Sequence, residues 1–135
     1  MSETPAPTLP EPPAPDLRRK DPVRLRLRVH FGDRLMLGPG KADLLAGIAE
    51  TGSIAASGRR MGMSYKRAWM LVEEMNAAFT APLVASTRGG AGGGGAHLTP
   101  TGEAVLAHYR ALMAATARVG TTEIDAISAL MRPDP

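Results

Sequence analysis

The run Ser64-Tyr65-Lys66-Arg67 sets a hydroxyl, a phenol and two long cations in four consecutive positions, with Trp69 and Met70 one turn later. On a helix, such a turn offers hydrogen-bond donors to phosphate and, through Lys or Arg, to the O6 and N7 edge of guanine. This is the chemistry of holding a polyanion rather than of making or breaking bonds. At 100° per residue, an ideal value for helix geometry, Lys66 and Met70 point away from the buried stripe, Arg67 flanks it, and Tyr65 and Trp69 border its other side. Lys66 and Arg67 are the favoured contacts. Two readings stand for Tyr65, a hydrogen bond to phosphate or a packed aromatic at the edge of the core. For Trp69, packing is favoured over readout.

A second constellation is Arg88 followed by seven residues that are glycine apart from Ala91. Gly90-x-Gly92-x-x-Gly95 formally matches a dinucleotide fingerprint. That fingerprint requires a preceding strand, a helix opening within it and a βαβ unit, whereas Thr99-Pro100 follows here after a short strand. A loop between two strands, with Arg88 at its base against a sugar–phosphate backbone, fits better, and a plain flexible turn is the alternative. Arg24, Arg26 and Arg28 alternate with apolar residues and are read as a solvated sheet face.

Other chemistries lack their residues. The chain has no cysteine, so disulfides, thiolate metal sites and a cysteine nucleophile are excluded. His30, His97 and His108 are scattered without ligand spacing, and no metal or cofactor is expected. No carboxylate pair, activated nucleophile or cofactor cradle stands out, so the expectation is that the protein is not an enzyme.

The elements that must position these residues follow from periodicity and punctuation. Val23, Leu25, Leu27, Val29 and Phe31 alternate with polar residues, which predicts a strand with one buried face. Gly32-Asp33 turns it back into a short strand over 34–37, and Gly38-Pro39-Gly40 ends the hairpin. A first helix is predicted from about Lys41 to Glu50, stopped by Gly52. Ser53 caps a second containing Ile54, Ala55 and Met61 and closed by Gly62, and Ser64 caps a third. The third carries Ala68, Leu71, Val72, Met75 and Phe79 on one face. Ser57 and Gly58 are small where neighbouring helices approach, with Ala68 facing them. Strands 83–87 and 96–98 flank the glycine loop. Thr99-Pro100 then opens a long helix with Val105, Leu106, Tyr109, Leu112 and Met113 on one stripe, which packs within the monomer or against a second copy. Gly120 interrupts or ends that helix, and Ile124, Ile127, Leu130 and Met131 form a last amphipathic segment.

At 135 residues, 44% of them hydrophobic but only 4% aromatic, one domain with an aliphatic, helix-rich core is expected. Residues 1–20 are read as a disordered proline-rich tail, 21–118 as the folded domain and 119–135 as a short helical extension and tail. The net charge of +3 understates the folded part, since Glu3, Glu11 and Asp16 sit in the tail and six Lys or Arg cluster between residues 18 and 28. No segment is apolar enough to span a bilayer, and a cytoplasmic protein is expected. The order hairpin, three helices, hairpin, helix is that of a winged helix-turn-helix, mainly α with small β-hairpins.

Glu50-Thr51-Gly52-Ser53-Ile54, Arg59 through Trp69, Met75-Asn76, Pro82-Leu83-Val84 and Leu98 through Glu103 together resemble the N-terminal domain of ModE-type, molybdate-responsive transcriptional regulators, over roughly residues 23–115. The resemblance implies a LysR-like winged helix-turn-helix, a homodimer, double-stranded DNA as partner and palindromic operators of molybdate-uptake or molybdenum-enzyme genes. Ser53, Ser64, Tyr65, Lys66, Arg67, Met70 and Arg88 are the candidate DNA-binding residues. Ser57 and Gly58 depart from the alanines usual in the family, and glycine inside a helix costs about 1 kcal/mol relative to alanine. Family members continue into an oxyanion-sensing region, whereas this chain ends at Pro135. Molybdate binding is therefore not expected of it, and a separate sensor protein is a possible partner. The alternative to a regulator is a protein-interaction module or a partner subunit of another regulator.

Overall fold

The computed structural model describes residues 23–87 and 95–133. The proline-rich tail, Arg88 and all but the last of the loop glycines lie outside these residues. The chain opens with a hairpin of β1 (Val29–Phe31) and β2 (Leu35–Leu37), antiparallel with His30 opposite Met36. Three helices follow, α1 (Pro39–Thr51), α2 (Ile54–Arg60) and α3 (Tyr65–Ala78). A second antiparallel hairpin, β3 (Val84–Thr87) with β4 (Gly95–Leu98), leads into the long α4 (Pro100–Ala129). This is the winged helix-turn-helix expected from the sequence.

The helix boundaries come from local punctuation. The Ser53, Ser64 and Thr99 side chains accept hydrogen bonds from the backbone N–H of Ala56, Arg67 and Gly102 at 3.1, 3.2 and 3.0 Å, each satisfying a donor the helix leaves open. Gly52 (φ 71°) closes α1, and its N–H donates to the Ile48 carbonyl. Gly62 (φ 73°) turns the chain between α2 and α3. Both adopt the left-handed conformation that glycine reaches without a Cβ clash.

One core unites these pieces. Leu44, Leu45 and Ile48 of α1, Ala68, Val72 and Met75 of α3, and Leu106 and Tyr109 of α4 are buried together with Leu35, Leu37, Leu83, Val84, Ala96 and Leu98 from the hairpins. The first turn of α4 is pressed onto the start of β3 so closely that a Cβ at residue 102 would overlap the Leu83 carbonyl oxygen. Tyr109 ties the N-terminal segment down by donating its hydroxyl to the Leu27 carbonyl at 2.7 Å.

Four expectations are corrected. The strand predicted over 23–31 is paired only over Val29–Phe31, because β2 supplies three partners. Val23 and Phe31, assigned to a buried face, are exposed, although the inward tilt of Leu25 and Leu27 survives. Helix α1 begins at Pro39 rather than Lys41, since proline at the first helical position has no N–H to leave unpaired. Helix α4 runs unbroken through Gly120, where the helix-forming residues around one glycine outweigh its propensity cost. Lys41, expected only as a helix start, is buried, donating to the Met36 carbonyl at 2.9 Å and lying 3.5 Å from Glu74 of α3.

Candidate nucleic-acid interface

The α2–α3 pair is set by contacts that admit only small residues. The Ser57 hydroxyl is buried and donates to the Leu44 carbonyl at 2.9 Å, and a Cβ on Gly47 of α1 would overlap it. On the other side of α2, a Cβ on Gly58 would stand 2.9 Å from the Ala68 methyl and 3.4 Å from Met63 Cγ. Gly58 is thus matched to its neighbours, and its propensity cost is the counterpart of a closer approach between the two helices. The turn is closed by the N–H groups of Met61 and Met63, both donating to the Gly58 carbonyl at 3.0 Å.

With its underside fixed by Ala68, Val72 and Met75, α3 turns its first residues outward. Ser64, Tyr65, Lys66, Arg67 and Met70 are all exposed on little more than one and a half turns. Tyr65 is 59% and Met70 55% exposed, so neither is a core residue. Among the described residues no carboxylate pairs with Lys66 or Arg67; the ion pairs there are Lys41–Glu74 and Arg60–Glu50. Two uncompensated cations thus stand at a helix N-terminus, where the free N–H groups already favour an anion. Ser53 is half-buried at the start of α2, one element away.

The second hairpin is fastened to the helices from both sides. On one side, the Ala96 N–H donates to the Gly52 carbonyl at 2.9 Å. On the other, Asn76 Oδ1 accepts from the N–H groups of Leu83 and Val84 at 2.8 and 3.1 Å, and its Nδ2 donates to the Val84 carbonyl at 3.1 Å. The register Val84↔Leu98 through Thr87↔Gly95 directs the hairpin so that Thr87 and Gly95 form its far described rung. Arg88 follows Thr87 in sequence but lies outside the described residues, so its predicted contact is left to experiment.

Trp69 differs from expectation. It is 47% exposed, and with Tyr65 it walls a recess of about 250 Å³ completed by Ser53, Ile54, Ala55, Ser86, Gly95 and Ala96. A position bordering a helix's apolar stripe is compatible with core or cleft. Which applies depends on how far away the hairpin stands, and periodicity carries no information on that. Asn76 and Ser86 were not singled out as functional by sequence reasoning. For Asn76 the available signal was a polar residue on the inner side of a helix just before a Pro-Leu-Val strand.

Residues 41–103 match the family described as bacterial regulatory helix-turn-helix protein, lysR family. The chain is 47% identical over 83 residues to the molybdenum-pterin-binding protein MopB of Rhodobacter capsulatus, covering 62% of this chain and 31% of that one. It is 38% identical over 87 residues to the DNA-binding transcriptional dual regulator ModE of Escherichia coli K12, covering 64% and 33%. The chain spans about a third of the length of these relatives. Among solved structures it resembles the DNA-binding domain in a CbnR–DNA complex, with a TM-score of 0.51 and 22% identity over 65% of this chain and 95% of that one. This last likeness supports the fold. The residues matched by the lysR family include α2 and α3.

Proposed function

We propose that the protein is a sequence-specific, double-stranded-DNA-binding transcriptional regulator of molybdenum-related genes. The observation that carries this is the first turn of α3, where Lys66 and Arg67 stand exposed and without a carboxylate partner among the described residues, on a helix locked from below by the Gly58–Ala68 contact. Ser64, Tyr65 and Met70 share that surface and Ser53 borders it, and Arg88, next after β3 in sequence, is proposed as a further contact to the sugar–phosphate backbone. The molybdenum link rests on relatives named for molybdenum. No helix among the described residues is long and apolar enough to cross a membrane, which agrees with work on DNA in the cytoplasm.

The regulator acts as a homodimer through α4 in this account. Met113, Thr116, Gly120, Ile124, Ile127 and Met131 recur at intervals of three and four along the second half of that helix and its end, a seam spacing suited to a second helix. Ile127 and Met131 are 63% and 69% exposed. A two-fold dimer predicts two half-sites about 34–36 Å apart, one turn of the duplex. The test is selection of bound duplexes from a random-sequence pool, with and without molybdate. Enrichment of an inverted repeat supports the proposal, and recovery of unbiased sequence refutes it. A molybdate effect on binding by the purified chain would show that it needs no separate sensor.

A further inference from the structure

Among the described residues, no charged side chain lines the recess between α3 and the second hairpin, yet it lies between two elements that reach DNA if the protein is a regulator. Its walls are the Tyr65 and Trp69 rings, spaced i and i+4 so that they share one side of α3, with Ser53 and Ser86 opposite. Both rings are about half open to solvent, Tyr65 at 59% and Trp69 at 47%. Burial against the protein therefore does not account for two large aromatics at this place. Their polar tips, the phenol and the indole N–H, are hydrogen-bond donors, as are the two serine hydroxyls.

In a winged helix-turn-helix the start of the recognition helix enters the major groove while the hairpin lies along the neighbouring backbone. The groove wall between them is one sugar–phosphate strand, and it must pass over the ground that separates α3 from β3 and β4. That ground is this recess. Deoxyribose presents apolar carbon and the phosphodiester presents acceptor oxygens, which matches aromatic faces interleaved with neutral donors.

We propose that the Tyr65–Trp69 recess seats one sugar–phosphate strand of the duplex through uncharged contacts, with Trp69 donating its indole N–H to a phosphate. The inference rests on the regulator reading and adds the division of labour within it. Lys66 and Arg67 supply the charge-dependent part of affinity, and Tyr65 and Trp69 supply a part that releases no counterion and sets the helix's register on the strand. Since affinity falls with salt in proportion to the phosphates neutralised by cations, the two parts are separable by experiment.

Trp69 is the only tryptophan in the 135-residue chain, so its emission reads the recess directly. The full chain is titrated with an end-labelled duplex of the sequence it selects, following label anisotropy and tryptophan emission at several salt concentrations. The expected result is an emission change with the same midpoint as the anisotropy. Trp69→Ala weakens binding by about tenfold or more, the loss expected for a hydrogen bond to a charged group, and keeps the wild-type salt slope. Trp69→Phe, which retains a ring without the N–H, falls between. Lys66→Ala instead flattens the slope by about 0.9. Unchanged emission on a duplex that binds overturns the inference, as does wild-type affinity in Trp69→Ala or a slope flattened by it. A wild-type chain that binds no duplex overturns the regulator reading itself, and this inference with it.

Discussion

Asn76 is the residue on which the placement of the second hairpin turns. Its Oδ1 faces two backbone donors, the N–H groups of Leu83 and Val84, and its Nδ2 faces the Val84 carbonyl. Two donors converging on one atom identify that atom as the amide oxygen. Replacing Asn76 by leucine keeps the branched shape and removes all three bonds. Leu83 and Val84 are buried, at 0% and 5% exposure, so their freed groups have little access to water. A buried backbone group left without a partner costs about 1–3 kcal/mol. Asn76 itself is half-buried, which places the three at the low end, about 2–4 kcal/mol in sum by the same principle. With a urea m-value of about 2 kcal/mol/M, the middle of the range for a small domain, the unfolding midpoint followed by circular dichroism falls by roughly 1–2 M. Asn76→Asp keeps the two accepted bonds and loses the donated one, so its midpoint lies between wild type and Asn76→Leu. A leucine variant within about 0.5 kcal/mol of wild type, the range of ordinary surface changes, refutes the argument. So does an aspartate variant as damaged as the leucine one.

Gly102→Ala forces the first turn of α4 off the Leu83 carbonyl and lowers stability by about 1–3 kcal/mol, as overpacking does. Gly120→Ala, whose Cβ would meet only Ile124 Cδ1 at 3.7 Å, raises stability by up to about 1 kcal/mol. Thermal unfolding of the two variants checks the opposite signs. Ser64→Ala loses the cap of α3 and about 1 kcal/mol, whereas Ser64→Asp keeps the cap and the stability but weakens DNA binding by setting a negative charge beside phosphate, which gel shift and thermal melts separate. Burial, then the nearby Asp43 carboxylate, raise the Tyr109 pKa above its ordinary value, against a smaller lowering by Arg26. The neutral phenol is the form the fold prefers, so this contribution is complete below the unfolded pKa of about 10 and is lost as pH rises beyond it. Urea midpoints measured from pH 8 to 11 should fall more steeply for wild type than for Tyr109→Phe.

Features written in short-range chemistry were legible in the chain itself. Ser53, Ser64 and Thr99 cap helices because a hydroxyl before an amphipathic run can satisfy a free N–H, and Gly52 and Gly62 stop helices because they reach positive φ. The exposure of Lys66, Arg67 and Met70 followed from the angle each residue makes with the buried stripe, whereas Tyr65, on its border, stood between phosphate contact and packing until its 59% exposure decided it. What was hidden depended on neighbours distant in sequence. Trp69 borders the same stripe as Tyr65, and only the position of β3 and β4 makes its surroundings a cleft instead of core. Lys41 is buried because Met36 and Glu74 converge on its amine. The first strand reads as nine residues by alternation, but a ladder is as long as its partner, and β2 has three. That Gly58 and Ala68 are small where α2 and α3 meet was legible, but not that the Ala68 methyl lies 2.9 Å from where a Gly58 Cβ would stand.

The most direct test of the central claim is the affinity of the wild-type chain and of Lys66→Ala/Arg67→Ala for its selected duplex, each measured across a series of salt concentrations. Two cations lost from phosphate contact reduce the slope of log affinity against log salt by about 1.8, twice the value per phosphate for duplex DNA, and weaken binding most at low salt. Those exposed side chains can be removed without disturbing the buried face of α3, so the melting curve should stay in place. A double variant with wild-type affinity and slope would contradict the assignment of the first turn of α3 to DNA.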